Sequence, residues 1–186
     1  MLECRVKDAF CLRLIEKRHV EEFYEFLENN REYFTGILHF IDNVKDKNDV
    51  MKIIVQFSEM ILNGTGFAWA IWHENKIVGT VSMRDINEEL KSAEIAYSID
   101  YRYEGKGIVS ESCWIAIDYL FTEYDVERLV LGCDVKNIRS QNIAKKYGFT
   151  NEGVARKGFI ANGEFQDIYI WSLLREEYLI LKSNRA

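Results

Sequence analysis

Proline is missing from this sequence of 186 residues, so its turns must be formed chiefly by glycine, asparagine and aspartate. Cysteine is also scarce, and the four thiols, at Cys4, Cys11, Cys113 and Cys133, include no Cys-x-x-Cys pair. No histidine lies close enough to them in sequence to complete a zinc module, and we therefore expect no metal site. Cys113 and Cys133 fall in apolar runs, which predicts that they are buried like small hydrophobic side chains.

Basic charge is in deficit, with 24 lysines and arginines against 30 acidic residues and a net charge of −6. Nucleic-acid-binding proteins normally carry a clustered basic excess, because neutralising phosphates supplies most of their affinity. No run approaches the roughly 18 uninterrupted apolar residues of a membrane span, and the N-terminal residues form no apolar run of the signal-peptide type. We expect a cytoplasmic protein that binds neither nucleic acid nor membrane.

The remaining composition is that of an ordinary globular protein, with 48% hydrophobic and 29% charged residues. A chain of this length fits one domain, at about 100–200 residues per domain, and needs no disulfide to fold. The sequence therefore predicts a single domain over residues 1–186.

Apolar runs bounded by turn residues predict seven strands. The predicted strands are Phe10–Ile15, Gly66–His73, Lys76–Arg84, Ser92–Asp100, Arg128–Val135, Phe149–Arg156 and Phe165–Leu174. Two-residue turns at Glu74-Asn75 and at Asn162-Gly163 are expected to join two pairs of these strands.

Four further segments have the length or spacing of helices. They are His19–Asn30, residues 50–61, Ile108–Phe121 and Arg139–Tyr147. The second of these helices is expected to be capped by Asn48 or Asp49 and to end at Asn63-Gly64. Because strands and helices follow one another in mixed order, we predict an α+β fold with one mixed sheet.

The segment Tyr101–Gly107 leaves a predicted strand and runs directly into a predicted helix. Gly105 and Gly107 let the backbone approach a bound group without a Cβ atom, and they tolerate positive φ angles. Free amides at a helix N-terminus, together with the positive end of the helix dipole, form a site for phosphate or pyrophosphate. Arg102 and Lys106 add positive charge to this candidate anion site.

Three interpretations of the loop are open. A lone Gly-x-Gly is often a plain turn before a helix. A dinucleotide fingerprint requires Gly-x-Gly-x-x-Gly in a βαβ unit, whereas Ser110 stands at the third position and an antiparallel hairpin precedes the loop. The third interpretation, an acyl-CoA loop, depends on residues that lie further along the chain.

Several short motifs lie before, within and after this loop. They are Ala93-Glu94-Ile95-Ala96-Tyr97, Arg102-x-x-Gly105-x-Gly107, Asn137-x-x-Ser140, Gly148-Phe149 and Phe149-x-x-Glu152-Gly153. In this order they resemble the GNAT acetyltransferase superfamily, and within it the RimL-type ribosomal-protein N-terminal acetyltransferases. The resemblance spans about Cys11 to Leu174, so the domain core is expected at about 10–175. It implies a GNAT fold, with a single mixed, splayed sheet of about seven strands and helices on both faces.

The resemblance implies acetyl-CoA as the co-substrate and no metal. The pyrophosphate is then expected on the backbone amides of Arg102, Gly105, Lys106, Gly107 and Ile108.

The pantetheine arm is expected along the Ser92–Asp100 strand, on main-chain groups around Ile99, with Asn137 contacting its amides. An amide between Tyr97 and Ile99 is expected to donate to the thioester carbonyl. Such a donor stabilises the oxyanion that develops during acyl transfer.

The implied chemistry is direct transfer of the acetyl group to an amine. An α-amino group has a pKa near 7.7–8.0, so a carboxylate acting through water is a sufficient base. Glu94 is the candidate base, with the orientation of the acceptor as its alternative role. Many superfamily members protonate the leaving thiolate with a tyrosine, but Ala144 stands at that position here, and Ser140 is the expected donor.

The acceptor is expected between residues 30–46 and 157–165. The residues expected around it are an apolar wall of Tyr33, Phe34, Phe40 and Phe159 and an acidic rim of Glu88, Glu89 and Glu94. The leading hypothesis is an N-acetyltransferase acting on the N-terminal α-amino group of a (ribosomal) protein. A polyamine or aminoglycoside acetyltransferase and a non-catalytic acyl-CoA-binding domain are the alternatives, and a homodimer is expected as one possible assembly.

Overall fold

The computed structural model of the chain describes residues 3–38, 40–161 and 163–185, which form eight strands and six α-helices. The strands are β1 (Glu3–Lys7), β2 (Phe10–Leu14), β3 (Phe67–His73), β4 (Lys76–Asn87), β5 (Ser92–Ile99), β6 (Arg128–Asp134), β7 (Thr150–Ala161) and β8 (Glu164–Leu174). The helices are α1 (Val20–Asn29), α2 (Arg31–Phe34), α3 (Lys47–Leu62), α4 (Ile108–Glu123), α5 (Ile138–Lys146) and α6 (Arg175–Ser183).

The predicted α+β class and the order of the predicted elements are confirmed, but the sheet has eight strands rather than about seven. The extra strand, β1, is short and lies at an edge, and its side chains alternate between exposed and half-buried. Its few apolar residues gave the sequence too weak a signal to predict it. The Glu74-Asn75 turn is confirmed, with φ angles of 47° and 63°, whereas Asn162 lies outside the described residues.

The sheet has the order β1-β2-β3-β4-β5-β6-β8-β7, and β5 and β6 form its parallel pair. β5 pairs with β4 from Ser92 to Ile99, but it pairs with β6 only from Ser92 to Glu94. Beyond Glu94 the two parallel strands separate, and the main-chain groups on that side of β5 have no strand partner among the described residues. The expected splay beside β5 is therefore present, and we call the wedge between the diverging strands the splay.

Helices cover both faces of the sheet, as predicted. On one face, α4, α5 and α6 form a core with residues such as Ile117, Ala144 and Tyr178. On the other face, α1, α2 and α3 pack through residues such as Phe23 and Ile54. Successive strand residues point to opposite faces, so the buried residues of the sheet divide between the two cores.

The apolar helix α4 is largely buried, as expected, and its Cys113 is fully buried. Cys133 on β6 is 7% exposed, which confirms that both thiols are packed as small hydrophobic groups. Within the described ranges, neither α4 nor any other helix is long and apolar enough to cross a membrane.

The start of α3 differs from the prediction. Asp46, rather than Asn48 or Asp49, is the capping residue, and its carboxylate accepts hydrogen bonds from the amides of both at 2.8 and 3.2 Å. All three residues are of types that cap helices well, and only the extended backbone at Asp46 decides between them. The helix ends at Asn63-Gly64, as predicted.

Candidate active site

The loop between β5 and α4 has the backbone that its glycines predict. Gly105 and Gly107 have φ angles of 71° and 77°, in the left-handed region that other residues rarely adopt. A Cβ atom at either position would meet no atom within 4 Å, so the backbone conformation rather than space requires glycine there. Gly107 is the N-cap residue of α4 and, because it has no side chain, it makes no capping hydrogen bond to the first amides of the helix. Within the described ranges, the amides from Gly105 to Ile108 have no hydrogen-bond acceptor and remain available to an anion.

Asp100 fixes the start of this loop. Its side chain is 2% exposed and accepts hydrogen bonds from the amide and the Nε of Arg102, each at 2.9 Å. Burial raises the pKa of Asp100, but hydrogen bonds from Arg102 and Asn30 outweigh it and leave the pKa below its usual value. Arg102 is thus the one predicted pyrophosphate ligand whose amide already has an acceptor, although its side chain is 55% exposed.

The structure brings Tyr97 and Ser140 together across the splay. The Tyr97 hydroxyl is buried and has no hydrogen-bond partner within the described part of the chain. Burial raises the pKa of Tyr97 well above its usual range, and the nearby Ser140 side chain opposes that shift. Ser140 lies in the first turn of α5, where its amide donates to Oδ1 of Asn137 at 3.0 Å. Asn137, predicted to contact pantetheine, is therefore the cap of the helix that carries Ser140.

Glu94 lies on the opposite face of the sheet from Tyr97. The two residues are three apart on β5, and side chains alternate along a strand, so Glu94 faces the side of α1–α3. Its Oε1 accepts a hydrogen bond from Nη2 of Arg84, its register partner on β4, at 2.6 Å. The two predicted catalytic residues, Glu94 and Ser140, are thus separated by the plane of the sheet.

A strip of polar side chains surrounds Glu94 on this face. Thr80 and Ser98 are hydrogen-bonded through their hydroxyl groups at 2.8 Å, and Ser82 donates to the carbonyl of Ala96 at 3.4 Å. These side chains are only partly buried, unlike the apolar residues on the other face of the same strands. The sequence analysis did not single out Arg84 or this strip. The β4–β5 register, once known, places Arg84 opposite Glu94.

The prediction that Phe34 forms part of an apolar wall around the acceptor is wrong. Its side chain is 1% exposed and belongs to the core that α1 and α3 form with the sheet. The neighbouring Tyr33 instead donates its hydroxyl to Glu104, which also accepts from Nη1 of Arg139 at 2.8 Å. Burial, followed by the hydrogen bond to Glu104, raises the pKa of Tyr33 to about 12. No sequence motif pointed to this cluster.

Glu152, from the Phe149-x-x-Glu152-Gly153 motif, makes contacts that stabilise the sheet. Its carboxylate receives both Nη groups of Arg128 and accepts from the hydroxyl of Ser172 at 2.8 Å. These bonds tie β6, β7 and β8 together. Hydrogen bonds from Arg128 and Ser172 lower the pKa of Glu152 to about 2.

Replacing Glu152 by glutamine should remove a pH-dependent part of the stability. A carboxylate whose pKa is lowered on folding stabilises the fold above its unfolded value, near 4.5, and this contribution disappears as the pH falls to about 2. We expect wild type to exceed Glu152→Gln in free energy of unfolding at pH 7, and the difference to shrink between pH 4.5 and 2. Urea unfolding across this range measures it. The difference between wild type and Ser172→Ala should depend less on pH. A difference between wild type and Glu152→Gln that does not change with pH would contradict the lowered pKa of Glu152.

One cavity among the described residues lies away from the predicted site. It has a volume of about 690 Å³, lies beside Trp72 and shares no residue with the predicted site. Both arginines that line it are paired with glutamates of the same lining, Arg13 with Glu3 and Arg18 with Glu16. No cluster of three or more potential metal ligands occurs among the residues that the structure describes.

Replacing Tyr97 by phenylalanine tests whether its hydroxyl is unpaired. A buried hydroxyl without a partner costs about 1–3 kcal/mol, so we expect Tyr97→Phe to leave the free energy of unfolding unchanged or to raise it. Tyr178→Phe is the matched control, because that buried hydroxyl donates to Asp118 at 2.8 Å, and its loss should destabilise by about 1–2 kcal/mol. Equal losses in the two variants, measured by urea unfolding, would show that Tyr97 has a partner in solution.

Comparison with known proteins agrees with this geometry. The sequence profile of the acetyltransferase (GNAT) domain matches residues 10–150. The chain is 27% identical over 179 residues to the putative ribosomal N-acetyltransferase YdaF of Bacillus subtilis. This match covers 96% of this chain and 98% of that protein. It is 25% identical over 170 residues to the ribosomal-protein-serine acetyltransferase of Escherichia coli, covering 90% and 94% of the two chains.

A solved structure extends the likeness to the fold. The Microcin C7 self immunity acetyltransferase MccE, in complex with acetyl-CoA and AMP, superimposes with a TM-score of 0.85 at 30% identity. The match covers 91% of this chain and 94% of that chain.

The fold is that of a solved acetyltransferase, and the profile match over most of the chain shows the family: this chain belongs to the GNAT acetyltransferases. The expected resemblance to RimL-like enzymes is confirmed by its ribosomal-protein acetyltransferase relatives. The chain is therefore an acetyl-CoA-dependent N-acetyltransferase.

Proposed function

We propose that this enzyme transfers the acetyl group of acetyl-CoA to the N-terminal α-amino group of a protein, with a ribosomal protein as the favoured acceptor. The observation that carries this choice is the similarity to ribosomal-protein acetyltransferases along almost the whole chain. In the transfer, the acetyl carbon leaves the CoA sulfur for the amine nitrogen, the amine loses one proton, and the CoA thiolate gains one.

The proposed binding residues match the groups that the co-substrate presents. The free amides of Gly105, Lys106, Gly107 and Ile108, at the N-terminus of α4, are suited to the pyrophosphate. The unpaired main-chain groups of β5 around Ile99 are suited to the pantetheine amides, as an added strand would be. The Oδ1 atom of Asn137 caps α5, which leaves the NH2 group of its side-chain amide to donate to the same arm.

We assign the two proton transfers to opposite faces of the sheet. Ser140, beside Tyr97, donates to the leaving thiolate. Glu94, on the face of α1–α3, accepts the proton of the amine or orients the amine, and Arg84 holds the Glu94 carboxylate in place. This arrangement lets the acceptor approach the thioester from the side that does not hold the leaving group.

A thermal melt with and without acetyl-CoA tests the binding site. At about one hundred times its Kd, a ligand adds ~2.7 kcal/mol of stability. At roughly 2–4 °C per kcal/mol, the melting temperature should rise by about 5–11 °C. We expect no such rise with NAD or ATP. Absence of a rise with saturating acetyl-CoA would contradict the proposed site.

A panel of acceptors tests the substrate class. We expect acetylation of peptides with free N-termini and none of the same peptides with blocked N-termini. A small-molecule amine is the second candidate, because the chain is also 31% identical over 101 residues to the spermidine N(1)-acetyltransferase of Escherichia coli, a match that covers 54% of each chain. Turnover of spermidine or an aminoglycoside, without turnover of any peptide, would favour this second candidate.

A further inference from the structure

Three side chains from three different elements meet at one carboxylate outside the splay. They are Tyr33 of α2, Glu104 of the loop after β5, and Arg139 of the first turn of α5. Tyr33 donates its hydroxyl to Oε1 of Glu104, and Nη1 of Arg139 donates to the same oxygen at 2.8 Å. Nη1 of Arg139 also lies 3.4 Å from the Tyr33 hydroxyl oxygen. We call these three residues the clasp.

The clasp crosses the mouth of the splay. β5 ends at Ile99 and β6 at Asp134, and the two parallel strands are paired only at their amino ends. Glu104 follows the diverging end of one strand and Arg139 that of the other. Their contact therefore rejoins the two sides that the sheet leaves apart, beyond the point where the strands separate.

Affinity for an anion does not explain a glutamate at this position. Glu104 directly precedes Gly105, so its negative charge lies beside the loop amides that we assign to a pyrophosphate. The Glu104 side chain is only 18% exposed and is turned toward Arg139 and Tyr33. Its contacts thus point to a role in closing the splay, not in attracting the ligand.

We propose that the clasp closes over the arm of a bound CoA thioester and slows its release. This inference rests on the proposed function, because it requires CoA to occupy the splay. Tyr33 lies on α2, in the segment expected to face the acceptor, so closure of the clasp also holds this segment against the occupied loop. The three residues position the donor and take no part in the acyl transfer itself.

The dissociation rate of CoA, measured by stopped-flow displacement, tests the clasp in Glu104→Gln, Arg139→Gln and Tyr33→Phe. Closure predicts that all three changes accelerate release, by about threefold or more for contacts of this exposure. Simple charge attraction predicts a different pattern: Glu104→Gln slows release, Arg139→Gln accelerates it, and Tyr33→Phe changes nothing. The double variant Glu104→Gln/Arg139→Gln should release CoA no faster than the quicker single variant, since both lose the same contact.

Glu21→Gln is the matched control, because it removes a half-exposed ion pair with Lys47, 2.7 Å long, that lies on α1 and α3. Its release rate should equal that of wild type. Opposite effects of the two charge changes, or unchanged rates in all three variants that bind CoA, would overturn the clasp alone. Absence of CoA binding by wild type would instead overturn the proposed function and the clasp with it. Both Glu104→Gln and Tyr33→Phe are nearly isosteric, and melting without ligand verifies that each variant is folded.

Discussion

Gly107→Val should abolish the stabilisation of this protein by acetyl-CoA. Gly107 has a φ angle of 77°, and a β-branched residue held there is strained by about 1–3 kcal/mol. The valine relieves this strain by moving to negative φ, which rotates the amides that begin α4 away from their common direction. The measurement is the rise of the melting temperature with saturating acetyl-CoA, which should fall from about 5–11 °C to near zero.

Gly64→Val separates this effect from general loss of stability. Gly64 ends α3 with a φ angle of 69°, and a Cβ atom there also meets no atom within 4 Å. The substitution therefore imposes similar strain at a place outside the proposed site. We expect both variants to melt earlier without ligand, but only Gly64→Val to keep the full rise with acetyl-CoA. A full rise in Gly107→Val would refute the assignment of the loop.

Ser140→Ala should lower kcat by about a hundredfold and leave the affinity for CoA nearly unchanged. General acid catalysis contributes typically 10²–10⁴-fold, and the hydroxyl is the group that we assign to the leaving thiolate. The helix should remain intact, because Asn137 bonds to the amide of Ser140, which alanine keeps. Steady-state kinetics give kcat and KM, and titration calorimetry gives the Kd for CoA.

Ser58→Ala is the control for loss of a serine hydroxyl. The Ser58 hydroxyl donates to the carbonyl of Ile54 within α3 at 3.0 Å, on an element that carries no proposed catalytic residue. Its kcat should match that of wild type. If Ser140→Ala also retained full kcat, the proton would come from another group, and the proposed role of Ser140 would be wrong while the fold stood.

Local sequence patterns predicted most of the elements, because apolar periodicity and turn residues act over short distances. The Glu74-Asn75 turn, the buried α4 and the glycine loop before it all follow from neighbouring residues. β1 was missed because an exposed edge strand has little apolar alternation to read. The cap of α3 was misplaced because Asp46, Asn48 and Asp49 are equally good caps by residue type.

The acceptor side was predicted less well, because it depends on which face of an element is buried. Phe34 and Tyr33 are neighbours in sequence, yet Phe34 packs in the core while Tyr33 reaches the loop after β5. A helix of four residues shows too little periodicity to assign these faces. Arg84 likewise gains its partner Glu94 only through the register of two strands.

The sequence by itself determined the family, the co-substrate class and the loop that we assign to the pyrophosphate, since each rests on short motifs or on backbone freedom at Gly105 and Gly107. Only the tertiary structure decided that Glu94 and Ser140 lie on opposite faces of the sheet, and that Glu104 and Arg139 meet across the splay. Those relations join residues 35 or more positions apart, and they depend on strand pairing that stops after Glu94. Where two parallel strands separate is set by the packing of whole layers, which no local pattern encodes.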